Sequence, residues 1–191
     1  MGLDIIVYFA NNDLVYSSVY DDPALDSNPK YRLSRTFCYL MCRKDVVSGK
    51  PELDQIGKLT SIDISTIYQM ETFTSNEEIE FFLEEAETEQ QKEKIRTLAQ
   101  AGNDKIKGNI DKILMTITNL IDKLSQIDDL PELLTDNDYD TLDNKIYFAD
   151  FNKDKAQGYI ENNFGQDLRN LKRILEYAKA KGSTTVYFNY G

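Results

Sequence analysis

The segment TDNDYDTLDN, residues 135–144, is the clearest pattern in the sequence that could bind a metal. Three alternating aspartates, Asp136, Asp138 and Asp140, match positions 1, 3 and 5 of an EF-hand calcium loop. Such a loop also needs a glycine at position 6 and a glutamate at position 12. Thr141 and Tyr147 stand there instead; threonine resists the positive φ of the sharp turn, and tyrosine offers no carboxylate. The pattern favours a solvated Asp- and Asn-rich turn, with weak divalent cation binding left open.

Other metal and nucleophile chemistries lack their residues. Cys38 and Cys42, in the segment CYLMC, would supply only half of a zinc site, and the sequence has no further cysteine and no histidine. The missing histidine excludes Ser-His-Asp and Cys-His catalytic sites, histidine-ligated zinc or iron, and histidine general bases. We therefore expect buried structural thiols and no resident cofactor.

Carboxylate chemistry remains open to an enzyme. Four aspartates stand beside predicted strands, where a sheet could bring them together: Asp4, Asp21, Asp22 and Asp150. They support an alternative interpretation, a small magnesium- or carboxylate-dependent enzyme. Glycine-rich phosphate-binding motifs are absent from the sequence.

Basic residues cluster along one predicted helix near the end of the chain. They are Arg169, Lys172, Arg173, Lys179 and Lys181. This cluster could contact a phosphate or an acidic partner. The pattern more strongly favours a solvated helix face that complements the negative end of the helix dipole.

The net charge of −11 is concentrated in two regions of the 191-residue chain. Residues 77–94 hold eight acids and two bases, and residues 128–155 hold nine acids and three bases. These regions would repel nucleic acids and anionic membranes and would attract a basic protein partner. The sequence has neither a signal peptide nor an apolar run of about 18 residues, so we expect a cytoplasmic protein.

Strand patterns occur at both ends of the sequence. Residues 3–10 and 14–20 predict an N-terminal hairpin, and 145–151 with 184–190 predict two strands joined by a helix in a parallel crossover. Ser34 is expected to cap a helix. Glycine and proline indicate a loop at 47–58, and 59–70 favours a strand over a helix.

The middle of the chain predicts helices. Ser75 and Glu78 form a capping-box pattern that opens one helix. A second helix is predicted at 104–126, with apolar residues spaced alternately four and three apart: Ile106, Ile110, Ile113, Ile117, Leu120 and Leu124. A turn near 102–104 would join the two helices, and the polar residues 87–94 would stand in solvent.

Together these patterns predict one α+β domain over 1–191. It combines a small mixed sheet, made of the N-terminal hairpin and the C-terminal strand-helix-strand, with a long central antiparallel helical hairpin. That hairpin, residues 75–126, can project from the body.

The leading functional hypothesis is a non-catalytic acidic protein that binds a basic protein partner as an inhibitor, immunity-like protein or adaptor. Five acids of the polar helical stretch are the candidate contacts: Glu84, Glu85, Glu87, Glu89 and Glu93. The magnesium- or carboxylate-dependent enzyme is the alternative. A homodimer formed through the apolar stripe of the central helices is a third hypothesis.

Overall fold

The computed structural model describes residues 5–10, 31–46, 50–135, 143–155 and 161–190. These residues form a small α+β fold in which helices predominate, as the sequence predicts. The two strands are β1 (Ile5–Phe9) and β2 (Val186–Tyr190). The helices are α1 (Arg35–Val46), α2 (Glu52–Thr60), α3 (Ser65–Gln69), α4 (Asn76–Glu85), α5 (Glu89–Ile106), α6 (Ile110–Leu124), α7 (Leu130–Leu133), α8 (Asn144–Tyr147) and α9 (Phe164–Ala180), with a 3₁₀ turn at Met70–Thr72.

The sheet pairs the two ends of the described chain. β1 and β2 are antiparallel, with Ile5 opposite Tyr190 and Phe9 opposite Val186. Alternate residues of both strands are buried on one face, as a half-buried strand requires. The partner predicted for β1, residues 14–20, lies outside the described residues.

The predicted strand at 145–151 is wrong, and so is the parallel crossover that depends on it. This segment forms the short helix α8 and a turn in which Asp150 has a φ of 51°. Tyr147 and Phe151 are four residues apart, and both rings lie near Phe164, with centroid distances of 5.8 and 6.2 Å. The turn that follows α8 therefore brings both rings to Phe164, and a continuous strand through 145–151 would lack this turn.

The predictions for 47–58 and 59–70 are also wrong, because helices α2 and α3 occupy much of these segments. Gly57 lies inside α2, where a Cβ would approach Ile64 Cγ1 to 2.9 Å. Glycine is thus present to allow close packing and does not interrupt the helix. Tertiary packing here outweighs the tendency of glycine to interrupt a helix.

The core forms around α6. Its predicted apolar stripe is confirmed, because Ile110, Ile113, Ile117, Leu120 and Leu124 are all buried in the hydrophobic core. α6 packs against α9, α3 and α2. One face of α9 is buried as well, through Leu168, Leu171, Leu175 and Ala178. Gly182 follows the helix with a φ of +88°, a conformation that glycine commonly adopts beyond a C-cap.

The antiparallel helical hairpin is present, but its turn and its second helix differ from the prediction. The chain turns at 86–88 between α4 and α5, and the two helices pack against each other. Thr88 opens α5 through a second capping box, with its side chain accepting a hydrogen bond from the Gln91 amide. The predicted partner helix α6 begins only after a separate turn at Gly108, whose φ is +72°. The helical hairpin therefore covers α4 and α5, while α6 belongs to the core.

Contacts made by Gly102 and Asn103 of α5 attach the open end of this hairpin to the 3₁₀ turn and to the residues directly after it. Asn103 donates its side-chain amide to the Thr74 carbonyl at 3.0 Å and accepts from the Thr74 amide at 2.9 Å. A Cβ at Gly102 would lie only 2.6 Å from the Thr72 carbonyl oxygen. The start of α4 thus lies beside the end of α5, which makes the pair antiparallel. No helix among the described residues is long and apolar enough to cross a membrane.

Candidate functional site

The five predicted partner-binding acids lie around the turn of the helical hairpin. Glu84 and Glu85 end α4, Glu87 lies in the turn, Glu89 starts α5, and Glu93 follows one helical turn later. All five are exposed. None of the residues of α4 is buried, so this helix contributes its whole outer face to the surface. The two capping boxes that start the helices hold this acidic turn in place.

Local ion pairs occupy two of the five carboxylates. Glu89 lies 3.1 Å from Lys92, and Glu93 lies 3.7 Å from Arg96, each pair on one helix. Exposed pairs of this kind contribute only a few tenths of a kcal/mol and exchange readily with other partners. Glu84, Glu85 and Glu87 have no ion pair within the described part of the chain. Within that part of the chain, no lysine or arginine forms an ion pair with these three carboxylates.

Two exposed phenylalanines lie within the same acidic surface. Phe81 is 56% exposed and Phe82 is 46% exposed, and their ring centroids are 5.8 Å apart in an edge arrangement. Glu77, Glu84 and Glu85 are three or four residues from Phe81 along α4, so they share its helix face. We call Phe81 and Phe82, with Glu84, Glu85 and Glu87, the hairpin face. Exposed acids are enough to keep a surface soluble, so solubility alone does not explain the two exposed rings at the centre of this acidic surface.

The sequence pattern misassigns the apolar residues of this hairpin. It indicates a stripe that begins at Phe82 and Ala86 and resumes at Ile95 and Leu98, yet Phe82 is 46% exposed and Leu98 is 62% exposed. Ala99, one residue further, is buried instead. The signal that identifies Phe81 as a surface residue is the set of acids flanking it at helical spacing on both sides.

Asp167, in the first turns of α9, carries a buried carboxyl group whose pKa is raised. Its carboxylate is fully buried and accepts four hydrogen bonds, from the Ser34 amide at 2.9 Å, the Ser34 hydroxyl at 2.6 Å, the Tyr147 hydroxyl at 2.8 Å and the Asn162 amide at 2.8 Å. Burial raises the pKa of Asp167 to about 6, although these hydrogen bonds act to lower it. Burial, followed by the charge of Asp167, raises the pKa of Tyr147 well above its usual value.

This buried cluster joins three elements. Ser34 caps α1 as predicted, since its hydroxyl also accepts from the Phe37 amide at 3.1 Å. Asp167 connects that cap to α8 through Tyr147. Its carboxylate oxygens are used by internal donors, so the arrangement favours a structural connection over acid-base catalysis.

The enzyme alternative requires two or more converging carboxylates, and the predicted ones do not converge in the described residues. Asp4, Asp21 and Asp22 lie outside those residues. Asp150 lies in the turn after α8, 3.2 Å from Lys153 and 2.9 Å from Lys155. Hydrogen bonds from Lys155 and then Lys153 lower the pKa of Asp150, which is the behaviour of a carboxylate in a surface ion pair.

The predicted metal site consists of three alternating aspartates, and two cysteines would form only part of a zinc site. Asp136, Asp138 and Asp140 lie outside the described residues. Within 5–10, 31–46, 50–135, 143–155 and 161–190, no group of three or more acids and cysteines could hold a metal ion. Cys38 is buried, Cys42 is partly buried, and neither forms a disulfide, in agreement with structural thiols.

The basic cluster of α9 is used within the chain. Arg169 and Arg173 both approach Asp154, at 2.7 and 3.6 Å. The three lysines contact Glu176, Asp111 and the Tyr177 ring, in the order Lys172, Lys179 and Lys181. These contacts support the prediction of a solvated, internally paired helix face rather than a phosphate site.

Comparison with known proteins adds no relative: a scan of protein-family models finds no matching family, and neither curated proteins nor solved structures give a match.

Proposed function

We propose that this protein binds a basic protein partner through the hairpin face and has no catalytic role in that interaction. The observation that carries the proposal is the pair of exposed rings, Phe81 and Phe82, beside the carboxylates of Glu84, Glu85 and Glu87, which have no ion pair among the described residues. Inhibitor, immunity-like and adaptor roles all need such a surface. A cytoplasmic location for the protein and for its basic partner is part of the same proposal.

The two kinds of residue would make different contributions to binding. Covering a phenylalanine side chain contributes roughly 1.5–3 kcal/mol, so the two rings can supply the anchor of an interface. The surrounding carboxylates contribute mainly to the rate of association and to the choice of a positively charged partner. A basic surface with an apolar depression would match both features.

A second copy of the chain fits the hairpin face less well. Two copies meeting through this surface would bring like charges together, which costs free energy. The apolar stripe proposed for a homodimer is covered inside one chain, since Ile106, Ile110, Ile113, Ile117, Leu120 and Leu124 are all buried. Charge complementarity therefore favours a basic partner.

Capture of the partner from the native cell, with two matched variants, tests the proposal. The variant Phe81→Ser/Phe82→Ser removes the apolar anchor, and Met115→Ser removes an apolar side chain of similar exposure (59%) from α6. We expect the first variant to weaken binding of the captured protein by roughly 100-fold and the second by less than about twofold. Equal binding to both variants, or a captured protein without a basic surface, would contradict the proposal.

A further inference from the structure

A cleft of about 730 Å³ lies between the sheet and the segment that leads into α4. Five aromatic and three acidic residues are among those that line it. The aromatics are Tyr8, Phe73, Tyr187, Phe188 and Tyr190, and the acids are Glu71, Glu77 and Glu78. Glu77 and Glu78 open the helix whose other end carries the hairpin face, so the cleft and that face share one helix of ten residues.

Three of these aromatic residues, Tyr8, Phe73 and Tyr187, form a ring column on the sheet face that points away from the core. Tyr8 and Tyr187 are cross-strand partners, and their rings stack at 5.7 Å with an interplanar angle of 17°. Phe73 also stacks on Tyr187, at 3.7 Å and 20°. The neighbours of the two tyrosines along the strands point into the core, so the alternation of the strands directs the tyrosines outward.

The carboxylates give the cleft a negative potential. Glu71 accepts a hydrogen bond from the Tyr190 hydroxyl, and Glu78 accepts from the Ser75 amide at 2.7 Å in the capping box. Glu77 is exposed. No lysine or arginine of the described chain lines the cleft. Lys44, which is not a lining residue, lies 3.8 Å from Glu71.

The positive end of the α4 dipole opposes this potential but is weaker. A helix N-terminus is equivalent to roughly half a positive charge. The cleft has three carboxylates, and among the residues described only Glu71 lies near a lysine, so the negative charge is larger. Burial, the neighbouring Tyr8 and the charge of Glu78 raise the pKa of Tyr187, which agrees with a Glu78 carboxylate near the ring column. The cleft therefore suits a cation with a flat face.

We propose that this cleft binds the guanidinium group of an arginine side chain. The inference rests on the proposed function, because the arginine would belong to the basic partner that covers the hairpin face. A guanidinium is planar, stacks on aromatic faces and forms paired hydrogen bonds with carboxylates. An ammonium group has the same charge but cannot stack, so the cleft prefers arginine to lysine.

Titration of the full chain with L-argininamide, followed by the chemical shifts of its backbone amides, tests the cleft without the partner. We expect shifts concentrated at 73–78 and 187–190, saturating at millimolar concentration. L-lysinamide should bind roughly threefold to tenfold more weakly, because only the guanidinium stacks.

Two variants examine the cleft residues themselves. Glu77→Gln/Glu78→Gln removes two charges and keeps the capping box, since glutamine also accepts at that position. We expect it to weaken argininamide binding by roughly fivefold or more, as should Tyr187→Leu. The matched control, Asp128→Asn/Asp129→Asn, removes two charges from another exposed segment and should change binding by less than about twofold.

The outcomes separate this inference from the proposed function. Equal binding by Glu77→Gln/Glu78→Gln and by its control, or equal binding of argininamide and lysinamide, would overturn the guanidinium site while leaving the capture experiment on Phe81 and Phe82 unaffected. The proposed function would instead be overturned if argininamide binds at the cleft but the Phe81→Ser/Phe82→Ser variant binds the captured protein as strongly as the Met115→Ser variant does. In that case the cleft would still bind a guanidinium, but its source would not be a partner docked on the hairpin face.

Discussion

The Asp167 side chain connects distant parts of the chain, and its contribution to the free energy of unfolding depends on pH. Its four hydrogen bonds join the cap of α1, the end of α8 and the start of α9. The N-termini of α1 and α9 both favour a negative charge nearby. Complete burial opposes the charge and dominates, so the pKa of Asp167 rises to about 6.

The sign of the pH dependence follows from this raised pKa. Between about pH 4 and pH 7 the unfolded chain loses the Asp167 proton before the folded chain does. The stability contributed by the protonated group is therefore present below about pH 4 and is lost as the pH rises through about 6. The difference from the ordinary carboxyl pKa corresponds to about 3 kcal/mol.

Asp167→Asn tests this account. Asparagine keeps one acceptor, and its amide can donate to the Ser34 and Tyr147 hydroxyls, which can rotate to accept. We expect the free energy of unfolding of the variant, relative to the natural chain, to rise by about 2 kcal/mol from pH 4 to pH 7. Urea unfolding followed by circular dichroism measures it. The same relative stability at both pH values would contradict a raised Asp167 pKa.

At the scale of elements, long regular patterns predict structure well. The alternating spacing in α6 and the apolar face of α9 extend over several turns, and both helices form with those faces buried. Capping residues Ser34 and Ser75 also mark true helix starts. These signals are local, so the sequence alone is enough to detect them.

Short apolar segments are predicted poorly because their period is ambiguous. The segments 59–70 and 145–151 fit both a strand and a helix over a few residues, and only their tertiary partners decide. Ile67 is buried in the same core as α6, and Phe148 packs near Phe164 at 5.2 Å. Neither contact can be read from the residues next to it in sequence.

Gly102 tests how the helical hairpin is attached to the body. Gly102→Ala would place a Cβ 2.6 Å from the Thr72 carbonyl oxygen, so α5 must shift away from the 3₁₀ turn. We expect a loss of about 1–3 kcal/mol and faster amide hydrogen exchange in α5, with α6 and α9 exchanging as before.

Ala101→Ser, at the exposed neighbouring position, is the matched control for that variant and should leave exchange in α5 nearly unchanged. If Gly102→Ala behaved like the control, close packing at this point would not hold the hairpin. An exchange increase spread evenly over all helices would indicate general destabilisation instead.

At the scale of the whole molecule, charge is distributed unevenly between two kinds of surface. The bases of α9 are paired with acids of the same chain, whereas Glu84, Glu85 and Glu87 at the hairpin turn have no ion pair among the described residues. The sequence predicts this acidic surface from composition alone. It does not predict the exposed Phe81 and Phe82, because an apolar residue in a helix is usually assigned to a core.

The aromatic cleft is beyond prediction from sequence for a different reason. Tyr8, Phe73 and Tyr187 are separated by more than sixty residues at each step, and only the pairing of β1 with β2 brings two of them together. No local pattern marks that pairing. Tyrosines in strands suggest either a core edge or a binding face, and the fold decides between them.

The most direct test of the central claim is the salt dependence of partner association for two charge-matched variants. One is Glu84→Gln/Glu85→Gln/Glu87→Gln at the hairpin turn, and the other is Asp128→Asn/Asp129→Asn/Glu132→Gln, which removes three exposed acids before and within α7. We predict that the first lowers the association rate constant at low salt by roughly tenfold and flattens its dependence on salt, with a much smaller effect of the second. Equal association rates for the two variants, or a rate independent of salt in the natural chain, would contradict the claim that the hairpin face recognises a basic partner.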